Sequence, residues 1–176
     1  MKHIEDTPWW ICDPEETNYC TYSDTDSIYM HAEPLLRHRH EDFDKMTAEE
    51  KDDALENIAM EYESVVTKSY DKLAEDVFRS TEHRLEMKTE CVIRSAYFRA
   101  TRRYAQWITK QEGIANETLD VKGLEFKKAN FPPVLGKFFK KALVDVLKGA
   151  TQKEIDDRLK IFKKQILDGT IPLTQL

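Results

Sequence analysis

Between residues 18 and 32, β-branched and aromatic side chains flank a short polar run, Ser23-Asp24-Thr25-Asp26-Ser27, the pattern of two strands joined by a tight turn. Strand side chains repeat every second residue, so alternation carried around the tip predicts Asp24 and Asp26 on one face. Residues 34–46 read as irregular and His-rich, with His31, His38 and His40 as solvated loop residues rather than metal ligands. Thr47 followed by Glu50 is a capping-box pattern that opens a long helix. Behind it Ile58, Tyr62, Val65, Val66, Tyr70, Leu73, Val77 and Phe78 fall at helical spacing, with no Gly or Pro before about Arg79.

From Arg84 to Ile108 the period shortens to two in places: Leu85 and Met87, then Cys91 to Ile93, then Tyr97 and Phe98. This predicts two or three strands, with a further hairpin through "KQEGIANETLDVKGLEF". Pro132 and Pro133 open a helix to about Lys148, and Thr151 caps another to Leu167 with Gly169 behind it. Strands, helix, strands, helices is an α+β order.

Composition narrows the class. Of 176 residues 40% are hydrophobic and 34% charged, as in a folded soluble domain. No apolar run approaches the roughly eighteen residues of a membrane span, and "MKHIEDTPWW" lacks the basic-then-apolar pattern of a secretory leader. Cys12, Cys20 and Cys91 are unevenly spaced and outside any CxxC pair, which points to reduced thiols in a cytosolic compartment. The net charge of −6 conceals a segregation: acids gather between Glu41 and Glu63, bases from Arg84 to Lys110 and from Lys122 to Lys164. Such a chain can present a basic face to a phosphate backbone despite its acidic total.

Two carboxylates on a tight turn suit a hard divalent cation, although Asp in turns also serves plain turn chemistry. The string "YSDTDSIYM" resembles the YGDTDS signature of family B DNA polymerases, the catalytic hairpin of the palm, in its phage, T-even-like form. Further matches follow in the family's order. "MKTECV" is similar to the palm strand that carries a third carboxylate, "TRRYA" to the KKRYA motif, and "KGLEFKKANFPP" to the segment that leads into the thumb. Ser23 stands where the family usually has glycine, and Thr101 and Arg102 replace two lysines.

The resemblance implies a palm-type antiparallel sheet with a long packing helix, followed by thumb helices. It groups the chain as a leader of unknown role (1–17), the C-terminal part of a palm (18–130) and the start of a thumb (131–176). It implies that Asp26 binds both ions of a two-Mg²⁺ site. Asp24 would contribute mainly local charge, Glu90 would support the metals from an adjacent strand, and Thr25 and Tyr22 would hold the tip near the primer end. Arg102 and Tyr104 would contact the primer strand, Arg103 the loop or a phosphate, and Lys122, Lys127 and Lys128 the duplex path. Arginines interleaved with an aromatic ring suit that role on physical grounds too, though an ordinary charged strand edge looks alike.

The SLYPS-type and NSxYG-type strings, which supply the other metal aspartate and the nucleotide-binding fingers helix and come earlier in the family's order, do not occur here. The expectation is therefore a DNA-directed DNA polymerase piece that acts on primer-template DNA and deoxynucleoside triphosphates with a complementary N-terminal chain, in the cytoplasm of an infected host cell. Trp9 and Trp10 read either as a small staple onto the core or as a docking patch for another chain, and the latter would fit that account. A non-catalytic remnant and a plain DNA-binding module are the alternatives.

Overall fold

The computed structural model describes residues 19–128 and 130–172. The leader, including Trp9, Trp10 and Cys12, lies outside the described residues. Among the described residues the fold is α+β, with a two-stranded and a three-stranded antiparallel sheet and four α-helices. It divides into two compact units between Glu90 and Cys91, whereas the sequence grouping draws its boundary after residue 130.

The first unit opens with β1 (Cys20–Asp24) and β2 (Ser27–Met30), paired with Tyr22 opposite Tyr29 and Asp24 opposite Ser27. Cys20 faces Met30, so Thr21 is an extra residue that bends β1. Helix α1 (Glu33–Arg39) occupies part of the stretch that reads as irregular; His38 lies inside it and His40 caps it. Pro34 sits in its first turn, where a missing N–H costs nothing, and Leu35 and Leu36 anchor it. With Ala32, Phe43 and Ile58 they form this unit's core.

Helix α2 (Ala48–Phe78) starts where the capping box predicts. The Glu50 amide donates to the Thr47 hydroxyl at 3.2 Å, and the Thr47 amide donates to the Glu50 carboxylate at 2.7 Å. Replacing Thr47 with alanine should cost about 1 kcal/mol, read from the urea midpoint, while serine should retain most of it. Along the helical stripe only Ile58 and Val66 are buried; Val65, Leu73, Val77 and Phe78 face solvent, and Phe78 is 68% exposed.

Residues 79–90 form no helix or strand, so Leu85 and Met87 are not strand residues. Side chains tie this segment back to α2: His83 bonds Asp71 at 2.9 Å, and the Thr89 amide donates to Glu63 at 2.8 Å.

The second unit is a meander of β3 (Cys91–Ala100), β4 (Arg103–Gln111) and β5 (Ile114–Lys122), in the order β3-β4-β5. A short 3₁₀ turn (Glu125–Lys127), α3 (Pro133–Leu147) and α4 (Gln152–Leu167) follow, close to their predicted bounds. The central strand β4 is buried from Ala105 to Thr109. Ala105, Trp107, Val121 and Leu124 meet Leu147, Leu143 and Val144 of α3 in one core. The Ser95 hydroxyl donates to the Leu147 carbonyl, and the Lys148 ammonium lies 4.1 Å from the Trp107 ring centre. Phe138 and Phe162, stacked at 4.1 Å, join α3 to α4, as does the Arg158–Asp145 ion pair. Among the described residues no helix is long and apolar enough to cross a membrane.

Candidate functional site

The carboxylate hairpin differs from its expected geometry at the tip. Asp24 ends β1, but Asp26 lies in the turn, so strand alternation does not relate the two side chains. The Asp26 amide donates to the Asp24 carbonyl at 2.7 Å, closing a three-residue γ-type turn centred on Thr25. Thr25 has φ +54°, a conformation that β-branched residues rarely hold. Local hydrogen bonds support it. The Thr25 hydroxyl donates to the Asp24 carboxylate at 3.1 Å, the Tyr22 hydroxyl at 3.4 Å, and the Ser27 hydroxyl donates to the Asp24 carbonyl at 3.1 Å. The Tyr22 and Tyr29 rings, 5.5 Å apart, flank the same face.

The two aspartates are therefore unequal. Asp24 is half-buried and engaged in holding the turn. Asp26 is exposed, and its carboxylate makes no hydrogen bond or ion pair among the described residues. Glu90 also departs from expectation: it precedes β3 rather than lying on a strand. Strand-forming character in 84–90 was insufficient without a pairing partner. Among the described residues no three His, Cys, Asp or Glu side chains form a group able to hold a metal. Asp26 fits as one hard oxygen donor, and among the described residues it stands outside any three-ligand group.

Of the expected nucleic-acid residues, Thr25 lies in the β1–β2 turn of the first unit, whereas Arg102, Arg103, Tyr104 and Lys122 lie at one end of the β3–β5 sheet, with Lys127 and Lys128 in the turn that follows. Thr101 and Arg102 form the β3–β4 turn, Arg103 and Tyr104 begin β4, and Tyr104 lies directly opposite Lys122 at the end of β5. Gly123 locks these segments together. At φ +62° it packs so closely on the turn that an added Cβ would lie 2.2 Å from the Arg102 carbonyl oxygen. Arg102 itself has φ +58°. The Tyr104 ring leans on Phe98 at 5.5 Å. Lys122, Lys127 and Lys128 are exposed and carry no ion pair among the described residues.

Neither a family model nor a curated protein matches the chain.

Two residues of this basic end, Arg99 outside the motifs and Glu125 within "KGLEF", have no role in the motif reading. Arg99 is the extra residue of a β-bulge, since Phe98 faces Tyr104 while Ala100 faces Arg103. Its guanidinium reaches the Glu125 carboxylate at 3.4 Å, and Arg103 reaches the other oxygen of the same carboxylate at 3.0 Å. The Glu125 carboxyl is held below the usual glutamate range, first by its own amide N–H and then by the charges of Arg103, Arg99 and Lys128, against an opposing desolvation. It is thus ionised at neutral pH. Arg103 thus ties the start of β4 to the 3₁₀ turn behind Gly123. Only the neighbouring arginines could have hinted at Arg99, because a bulge has no local sequence period.

Proposed function

We propose that this chain is the C-terminal palm and thumb-base portion of a family B DNA-directed DNA polymerase. It would hold primer-template DNA at the basic end of β3–β5 and contribute Asp26 to a two-Mg²⁺ site completed by carboxylates on a complementary chain. The observation that carries the reading is the edge-to-edge junction of "TRRYA" and "KGLEF", motifs separated in sequence yet locked at Gly123 and rich in exposed cations. The exposed, unengaged Asp26 on a strained tip supports it independently. Mg²⁺ would supply charge neutralisation for transfer of a deoxynucleotide to a primer 3′ hydroxyl. The solvent-facing apolar stripe of Val65, Leu73, Val77 and Phe78 suits burial by the complementary chain.

Binding to a fluorescent primer-template duplex tests the DNA contact. The wild-type chain should bind with a steep salt dependence, and Lys122→Ala should weaken binding at every sequence and reduce the slope of log K against log salt by about one. Binding that is insensitive to salt would remove the DNA reading. A DNA-binding module derived from such a polymerase is the second reading, which the exposed cations of the β3–β5 end support without calling on the hairpin. It predicts the same duplex binding with no primer extension under any complementation.

A further inference from the structure

We propose that Arg99 and Arg103 form an oxyanion site for a phosphodiester group, and that Glu125 fills it in the free protein as an internal stand-in. The two guanidinium groups come from different strands, one of them displaced by a bulge, and converge on the two oxygens of a single carboxylate. A planar fork of N–H donors that holds a carboxylate in this way matches two oxygens of a phosphate equally well. The carboxylate and both guanidiniums are about half exposed, so a phosphate can reach them and the ion pairs contribute little to stability.

The surroundings favour exchange over a permanent pair. The site adjoins the Arg102 turn and Lys122, and Lys127 and Lys128 follow Glu125 in the chain, so an incoming phosphate meets further cations while Glu125 supplies the local negative charge. Glu125 opens the 3₁₀ turn directly behind Gly123 and Leu124, on backbone anchored by Leu124 in the core, so the stand-in is held at a defined place. Without nucleic acid it would keep the two guanidinium groups converged on one point; with nucleic acid it would set a threshold against weak, non-specific contacts.

The identification of the ligand as a duplex phosphate rests on the DNA reading above, whereas the oxyanion site does not. The experiment follows the side-chain Nε–Hε signals of Arg99 and Arg103 by NMR in the full chain, wild type and Glu125→Gln. The probes are inorganic phosphate, inorganic triphosphate and a primer-template duplex, with duplex affinity measured in parallel over a range of salt. Duplex should shift both signals, and Glu125→Gln should tighten duplex binding about three- to tenfold while steepening the log K against log salt slope by about one. Arg103→Ala added to Glu125→Gln should abolish that gain. Duplex binding that leaves both signals unmoved, or a Glu125→Gln chain with unchanged or weaker affinity, overturns the site while the DNA reading stands. Shifts with phosphate or triphosphate in a chain that does not bind duplex at all support the oxyanion site and overturn the DNA reading. Unmoved signals with all three probes overturn the proposal outright.

Discussion

Replacing Gly123 with alanine should destabilise the protein by about 3 kcal/mol, the largest loss expected from adding a single methyl group. A left-handed backbone costs a non-glycine residue about 1–2 kcal/mol by itself. At Gly123 a further cost arises, because the new Cβ would stand 2.2 Å from the Arg102 carbonyl oxygen and 3.2 Å from the Arg103 Cγ. The nearest obstacle is backbone, so no side-chain rotation relieves it; the β3–β4 turn has to move. Gly149 provides the control, since it also has positive φ (+90°) but meets nothing within 4 Å. Gly149→Ala should therefore lose only the backbone term. Urea unfolding at unchanged slope measures both, and duplex binding of Gly123→Ala should fall as well, because the displaced turn carries Arg102. Equal losses for the two variants would show that the close approach of Gly123 to Arg102 is not a stabilising lock.

The parts of this fold that the sequence reveals are those whose signals are local. Thr47 with Glu50, and Thr151 with Glu154, announce α2 and α4 because a capping box needs only four consecutive residues. The β1–β2 hairpin is equally legible from its polar centre. Helix α1 is not, since seven residues give barely two turns of periodicity and its evidence is the burial of Leu35 and Leu36 against Phe43 and Ile58. Strand limits escaped for a related reason. Alternation at Leu85 and Met87 looks like β structure, yet a strand exists only where a partner accepts its hydrogen bonds, and the ladder begins at Cys91 opposite Gln111.

The candidate site divides along the same line. Arg102, Arg103, Tyr104 and Lys122 could be chosen by type and motif, but their convergence depends on the register that sets Tyr104 against Lys122. Arg99 was hidden, and so was the pairing of Glu125 with it, because a bulge aims the one and a turn after Gly123 delivers the other. At the hairpin, a γ-type turn replaces the alternation that would have paired the aspartates, and it gives them different work.

That difference sets the second large effect. On the proposed polymerase reading, in a primer-extension assay supplied with the family's other motifs, Asp26→Ala should lower the rate on the order of a thousandfold. Losing one ligand of a catalytic metal forfeits several kcal/mol of transition-state charge stabilisation, and each 1.36 kcal/mol is tenfold in rate. Asp24→Asn should lower it far less. The Asp24 carboxylate already accepts from Thr25 and Tyr22, and an asparagine carbonyl can accept one of those bonds, so the turn that presents Asp26 survives. Duplex binding should be unchanged or slightly tighter in Asp26→Ala, because the substitution removes a negative charge and leaves every residue of the basic end in place. Equal sensitivity at the two positions would mean that Asp24 binds metal as well, which requires it to give up the hydrogen bonds that hold Thr25 at φ +54°. Full extension by Asp26→Ala would mean that the exposed carboxylate at the tip is a turn residue only, and the second unit's basic end would then be the functional part of this chain.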